Sequence, residues 1–150
     1  PLSIYKLDNS TRIYGRAQLD YLETALAMDS NPYKIFITHI NNTTGGVPDQ
    51  SLFITGMADI AERNRICRLM DQHGVSLLLT GHHHKGNIAY RLGEHYSEFN
   101  AAALHRRDFM GIESEGYWYT VEIIPEDGII RVIPYYAETG EALDAYEFPL

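Results

Sequence analysis

Three consecutive histidines, His82, His83 and His84, follow the apolar run "LLLT" and a single glycine, Gly81. The run is internal, whereas purification tags stand at the ends of a chain. In extended backbone, alternate side chains point the same way, so His82 and His84 would face one point and His83 the opposite side. Because imidazole is the commonest metal ligand, this spacing favours a metal site over solvated loop residues.

The elements around these histidines alternate between strand and helix. Leucines and other apolar side chains recur at helical spacing in two segments, and short apolar runs typical of buried strands lie between them. The predicted order is strand Leu2–Leu7, helix Arg16–Met28, strand Tyr33–Thr38, helix Met57–His73 and strand Val75–Thr80. A β-α-β-α-β order predicts a parallel sheet with helices packed on it.

A fourth histidine, His39, directly follows one of the predicted strands, as His82 follows another. In sheets of parallel strands, functional sites form at the carboxyl ends of the strands. If the two strands are neighbours, His39, His82 and His84 converge. This topological argument supports a metal site independently of the histidine spacing.

The chain after Gly86 has a different character, since short strands follow one another without helices between them. The segment "EDG" at Glu126–Gly128 is a hairpin turn signal between the last two of these strands. We predict strands over Asn87–Leu92, His95–Ala101, Tyr117–Ile124 and Ile129–Tyr135, running antiparallel. The stretch Ile40–Ser51 is polar and rich in glycine, and such long loops are often functional.

Composition limits the classes of protein to consider. A length of 150 residues suits a single domain, residues 1–150. The net charge of −8 argues against a nucleic-acid-binding surface, and no apolar run reaches the ~18 residues of a membrane segment. The one cysteine, Cys67, excludes an intramolecular disulfide. Together with the lack of a signal sequence, this favours a cytoplasmic location.

The histidine motifs resemble those of the second half of a calcineurin-like metallophosphoesterase. That family's signature runs Asp-x-His, Gly-Asp-x-x-Asp, Gly-Asn-His-Asp/Glu, a lone His and Gly-His-x-His. "ITHI" at Ile37–Ile40 is similar to the lone-His block, and "TGHHHKG" at Thr80–Gly86 to the last block. "GRAQLDYLETAL" at Gly15–Leu26 resembles the family's helix between central strands, and "EGYWYTVEI" at Glu115–Ile123 its closing strands.

The resemblance implies an α/β fold that forms the C-terminal half of a four-layer α-β-β-α metallophosphoesterase sandwich. It also implies hydrolysis of a phosphate ester by two divalent metal ions, which could be Mn, Fe, Zn or Ni. By this resemblance, His39 and His82 would bind one metal and His84 the other. Asn41 and Asn42 lie two and three residues after His39 and would contact the substrate.

The three N-terminal blocks of the family signature are absent from these residues, and the chain has no Gly-Asp dipeptide. We therefore expect a C-terminal fragment that is inactive alone. The general-acid histidine and the bridging carboxylate would lie in the missing half, and the three imidazoles would hold at most one weak metal site. Exposed sheet edges would favour either self-association or binding of the missing half.

Two other interpretations stay open. A small metal-binding module could use the three histidines without catalysis, and its folding would then depend on metal. An α/β interaction domain could carry the histidines incidentally, and substituting His82 and His84 together would then change only local packing.

Overall fold

The computed structural model describes residues 1–42, 58–82, 87–91, 96–104 and 115–150. His83, His84 and most of the predicted loop after Ile40 lie outside these ranges. The same holds for the predicted helix start at Met57 and for the predicted strand ends at Leu92 and His95.

Five strands form one sheet in the order β1-β2-β3-β5-β4. Their bounds are Leu2–Lys6, Tyr33–Ile37, Val75–Thr80, Ile88–Arg91 and Ser97–Asn100 for β1 to β5. The predicted parallel pairing of β1, β2 and β3 is confirmed. The prediction of purely antiparallel strands thereafter is wrong for β5, which runs parallel to β3. All four residues of β5 are buried, and that requires an interior position between β3 and β4.

Within the described residues, two helices cover one face of this sheet: α1 (Arg16–Met28) and α2 (Ile60–His73). The predicted bounds of α1 are confirmed. Helix α2 begins where the Asp59 carboxylate accepts hydrogen bonds from the amides of Ala61 and Glu62, at 2.8 and 3.0 Å. It ends at Gly74, whose φ of 64° forms a left-handed cap. Neither helix is long and apolar enough to cross a membrane, as judged on the described residues.

A second sheet packs on the opposite face and contains β6 (Tyr117–Ile124), β7 (Ile129–Tyr136) and β8 (Tyr146–Pro149). These strands are antiparallel, and β6 and β7 occur as predicted. Strand β8 was not predicted, because it has only four residues and contains a proline. The apolar layer between the sheets includes Ile35, Leu77, Phe99, Ile130, Val132 and Phe148. Helices, first sheet and second sheet thus form three stacked layers.

Strand β1 is an edge strand with an uncovered apolar face. Ile4 pairs with Ile35, so both side chains lie on the face that elsewhere packs on the second sheet. Leu2 and Ile4 are nevertheless 40% and 57% exposed. An exposed edge of this kind was expected from the sequence.

Candidate metal centre

The carboxyl ends of β2 and β3 bring His39 and His82 together. The two strands are parallel neighbours, and their hydrogen bonds continue beyond the strand ends. The amide of Thr38 donates to the carbonyl of Leu79, and the amide of Gly81 donates to the carbonyl of His39, both at 3.0 Å. The predicted convergence is therefore confirmed for this pair.

The two imidazole rings meet edge to face, with centroids 4.9 Å apart and planes at 83°. Nδ1 of His82 lies 3.0 Å from Nε2 of His39. In neutral imidazoles this contact is a hydrogen bond, with one nitrogen donating and the other accepting. Two nitrogens bound to one zinc ion at about 2.0–2.1 Å would also lie roughly 3 Å apart. The separation of the two nitrogens is therefore compatible with two ligands of one divalent metal.

The pair alone does not complete a metal site. Within the part of the chain that the structure describes, no group of three or more histidine, cysteine or acidic side chains is placed to hold a metal. The predicted third ligand, His84, belongs to residues 83–86, which lie outside the described ranges. Its role stays a prediction.

The backbone at His82 corrects the argument from strand alternation. His82 has a φ of 78°, in the left-handed region, so it is not extended. Gly81, whose amide donates to the carbonyl of His39, is not in the left-handed region. The left-handed residue is therefore His82 and not the glycine before it. A left-handed non-glycine residue costs of order 1–3 kcal/mol, although histidine tolerates the region better than most residues.

Asn9 holds the backbone around His39. Its buried side chain accepts hydrogen bonds from the amides of His39 (3.1 Å) and Ile40 (2.9 Å) through Oδ1. Its Nδ2 donates to the carbonyl of Ile40 at 2.8 Å. The sequence analysis assigned this asparagine no role. Nothing local in the sequence indicates a contact that spans thirty-one residues.

A second set of buried polar side chains lies beneath His82, and the sequence interpretation also missed it. Nδ2 of Asn100 donates to Oγ1 of Thr80 at 2.9 Å and to the carbonyl of Gly81 at 2.6 Å. Oγ1 of Thr80 donates to Oε1 of Glu98 at 3.0 Å. The available signal was the pair Glu98 and Asn100, two polar residues on one face of a buried strand.

The two asparagines that follow His39 are buried as well. Asn42 is held on several sides: its amide donates to the Glu98 carboxyl, and its carbonyl accepts from Nε of Arg63 at 2.6 Å. Its Oδ1 accepts from the Tyr14 hydroxyl at 3.2 Å. Asn42 is therefore fixed by contacts inside the protein, and the predicted substrate contact of Asn41 and Asn42 stays a prediction.

Burial controls the protonation of the groups around Asn42. Desolvation, and next the charge of Glu98, raise the pKa of Tyr14 well above its ordinary value, so this phenol keeps the proton it donates to Asn42. Desolvation also raises the pKa of the Cys67 thiol. A protonated thiol is a poor nucleophile.

A cleft of about 570 Å³ opens beside His39. Its volume lies within the range of small-molecule sites, roughly 300–1,000 Å³. The lining residues include the polar side chains of Lys6, Asp8, Gln18 and Thr38. A small ligand in this cleft would contact the edge of the histidine pair.

No protein-family model matches the chain, and no curated protein sequence matches it. Several solved structures are similar to the chain. A purple acid phosphatase, PPD1 from yellow lupin (Lupinus luteus) seeds, matches 96% of this chain with a TM-score of 0.63 at 12% identity. GAP50, the anchor in the inner membrane complex of Plasmodium, matches 99% with a TM-score of 0.65 at 11% identity. PhoD matches 91% with a TM-score of 0.51 at 15% identity.

These similarities confirm the fold class that the sequence motifs implied, a metallophosphoesterase fold. At such low identity they concern the fold alone. The chain spans 30%, 49% and 32% of the lengths of the three proteins, so it corresponds to less than half of each.

Proposed function

We propose that this chain is part of a two-metal phosphoric-ester hydrolase, in which His39 and His82 bind one divalent metal and His84 binds the other. The observation that carries the proposal is the 3.0 Å approach of the His39 and His82 imidazoles at the carboxyl edge of a parallel sheet. The metallophosphoesterase fold and the two histidine motifs support it.

The metals, which could be Mn, Fe, Zn or Ni, would polarise the phosphate and supply a hydroxide nucleophile. This chain's own contribution is to hold imidazole ligands in place and to provide the cleft beside His39. A phosphate ester in that cleft would lie next to the ligands. Asn41 and Asn42 would act on the substrate from the loop that follows His39.

The remaining ligands, a bridging carboxylate and a general-acid histidine, would come from protein outside these 150 residues. The support for this is the length of the structural neighbours, each more than twice that of this chain. The exposed apolar face of β1, with Leu2 and Ile4, is where we propose that the additional part, or a second copy, docks. Without it, the chain would bind at most one metal and would be inactive.

The test is hydrolysis of p-nitrophenyl phosphate and bis-p-nitrophenyl phosphate with Mn²⁺, using the full-length gene product. We expect His82→Ala to abolish turnover and His73→Ala, at the end of α2, to leave it unchanged. Turnover that survives His82→Ala would contradict the proposal. The 150-residue chain and its His84→Ala variant are assayed under the same conditions. If the 150-residue chain hydrolyses either ester and the variant does not, the expectation that this chain is inactive by itself is wrong.

The alternative function is a metal-binding module without catalysis, which the same histidine pair favours. It predicts that Zn²⁺ raises the melting temperature of the chain while the full-length product hydrolyses neither ester. Turnover in the full-length product would exclude this alternative.

A further inference from the structure

Glu98 is a fully buried acidic residue in the middle of the first sheet, with 0% of its surface exposed. Its Oε1 and Oε2 accept the amide N–H of Asn42, at 3.1 and 3.2 Å. Oε1 also accepts the hydroxyl of Thr80 at 3.0 Å. The side chain of Glu98, on β5, thus accepts hydrogen bonds from two segments: the one that follows β2 and the one that ends β3.

These two segments are the ones that carry the histidines. Asn42 is three residues after His39, and Thr80 is two residues before His82. Asn100 extends the connection, because its Nδ2 bonds both to Oγ1 of Thr80 and to the carbonyl of Gly81, directly before His82. Through Glu98, the network therefore connects the segment that follows His39 with the segment that precedes His82.

Stability alone does not explain a glutamate at this position. A buried carboxylate is unfavourable unless it is hydrogen-bonded, and well-packed apolar side chains often replace buried charges without loss of stability. What an apolar residue cannot do is accept directional hydrogen bonds from two separate segments. Metal ligands need such fixed placement, because affinity depends on sub-ångström geometry.

We propose that Glu98 is a positioning residue of the metal centre, which sets the separation of His39 and His82 by bonding to the segments that carry them. The inference rests on the proposed function, since it assigns Glu98 to the same site. In this role Glu98 acts through Asn42 on one side and through Thr80 and Asn100 on the other.

The first test is isothermal titration of the 150-residue chain and its Glu98→Gln variant with Zn²⁺. Glutamine has nearly the same shape but replaces one accepting oxygen by a donor. We expect the Kd for zinc to rise about 10-fold or more, as for other residues that support metal ligands.

Phe99→Leu is the matched control. Phe99 is the next residue of the same strand, but it packs against Tyr119 and Phe148 of the second sheet. It should lower stability without weakening zinc binding.

A second pair of variants covers the case in which Glu98→Gln does not fold. Thr80→Val removes the hydroxyl that donates to Glu98, and Thr80→Ser retains it. We expect weaker zinc binding in the valine variant and wild-type binding in the serine variant. Equal zinc affinity in both would overturn the proposal, as would wild-type affinity in a folded Glu98→Gln variant.

A readout without metal separates this inference from the proposed function. In ¹H–¹⁵N spectra of the apo chain, Glu98→Gln should shift the imidazole resonances of both His39 and His82, and Phe99→Leu should shift neither. If the wild-type chain binds no zinc but these shifts occur, zinc binding by the histidine pair fails for this chain, while the role of Glu98 in positioning the two imidazoles stands. If neither resonance shifts in Glu98→Gln, the positioning role is wrong.

Discussion

The strands β2, β3 and β5 have an apolar middle and a polar end, and the two parts are built differently. In the middle, Phe36, Leu78 and Phe99 are buried among other apolar side chains. At the carboxyl end, Thr38, Thr80 and Asn100 are also buried, but they hydrogen-bond to one another, to backbone or to Glu98 of β5.

The difference shows where the fold needs directional contacts. Apolar packing is strong but non-directional, so it stabilises the layers without fixing any one atom. Buried hydrogen bonds are costly when incomplete, yet they specify the backbone path. The polar end coincides with the two turns that carry His39 and His82. Stability should therefore depend most on the middle, and metal binding on the end.

The largest expected effect is in the apolar middle. Phe36 is fully buried and contacts Tyr5 edge to face, with centroids 5.5 Å apart. We expect Phe36→Ala to lower the free energy of unfolding by about 3–5 kcal/mol, measured by urea denaturation. The matched control is Tyr21→Ala, because Tyr21 is mostly exposed on α1, and it should change stability by less than about 0.5 kcal/mol. If Phe36→Ala lowers the free energy of unfolding by less than about 1 kcal/mol, the apolar middle of the strands is not the main source of stability.

At the polar end, Asn9→Ala should lower the free energy of unfolding by less than Phe36→Ala does, but it should weaken zinc binding. The substitution leaves the amides of His39 and Ile40 without the Asn9 acceptor, which should cost about 1–3 kcal/mol. Zinc affinity should fall as well, because the backbone of His39 loses its support. Asn64→Ala, at an exposed position on α2, should change neither quantity. Unchanged zinc affinity in a folded Asn9→Ala variant would contradict a directional role for the polar end.

Substitutions of His82 should separate binding from stability at one position. His82→Gly removes a proposed ligand and relieves the left-handed backbone, so stability should change by less than about 1 kcal/mol while zinc affinity is lost. His82→Val also removes the ligand, but valine disfavours this backbone, and stability should fall by about 1–3 kcal/mol. Equal stabilities of the two variants in urea would mean that the φ of 78° carries no strain.

The smallest effect concerns an exposed polar cluster near the start of β2. Hydrogen bonds from Ser3, Tyr5 and the amide of Asn31 lower the pKa of Asp29 to about 2. Because the folded pKa lies below the unfolded value of about 3.9, this contribution to stability is complete above about pH 4. It is lost as the pH falls through about 2. Asp29→Asn should remove this part of the pH dependence, and Tyr5→Phe, which removes one donor, should reduce it. Identical acid-unfolding curves for wild type and Asp29→Asn would contradict this assignment.

The sequence predicted the parts of the molecule that depend on periodicity. Helix α1 and strands β2 and β3 follow from their apolar patterns, and the parallel order predicted that His39 and His82 converge if their strands are neighbours. The turn at His82 was not predictable from alternation, which holds only for extended backbone. Asn9 and Glu98 were missed because their hydrogen-bond partners lie far away in the chain.

The most direct test of the account is titration of the 150-residue chain with Zn²⁺, comparing wild type with His39→Ala, His82→Ala and His73→Ala. Both imidazoles of the pair are proposed to bind the same ion, so His39→Ala and His82→Ala should each lose most of the zinc affinity. His73→Ala, outside the pair, should bind zinc like wild type. If all four proteins bind zinc equally, or if none binds it, the histidine pair is not a metal centre in this chain.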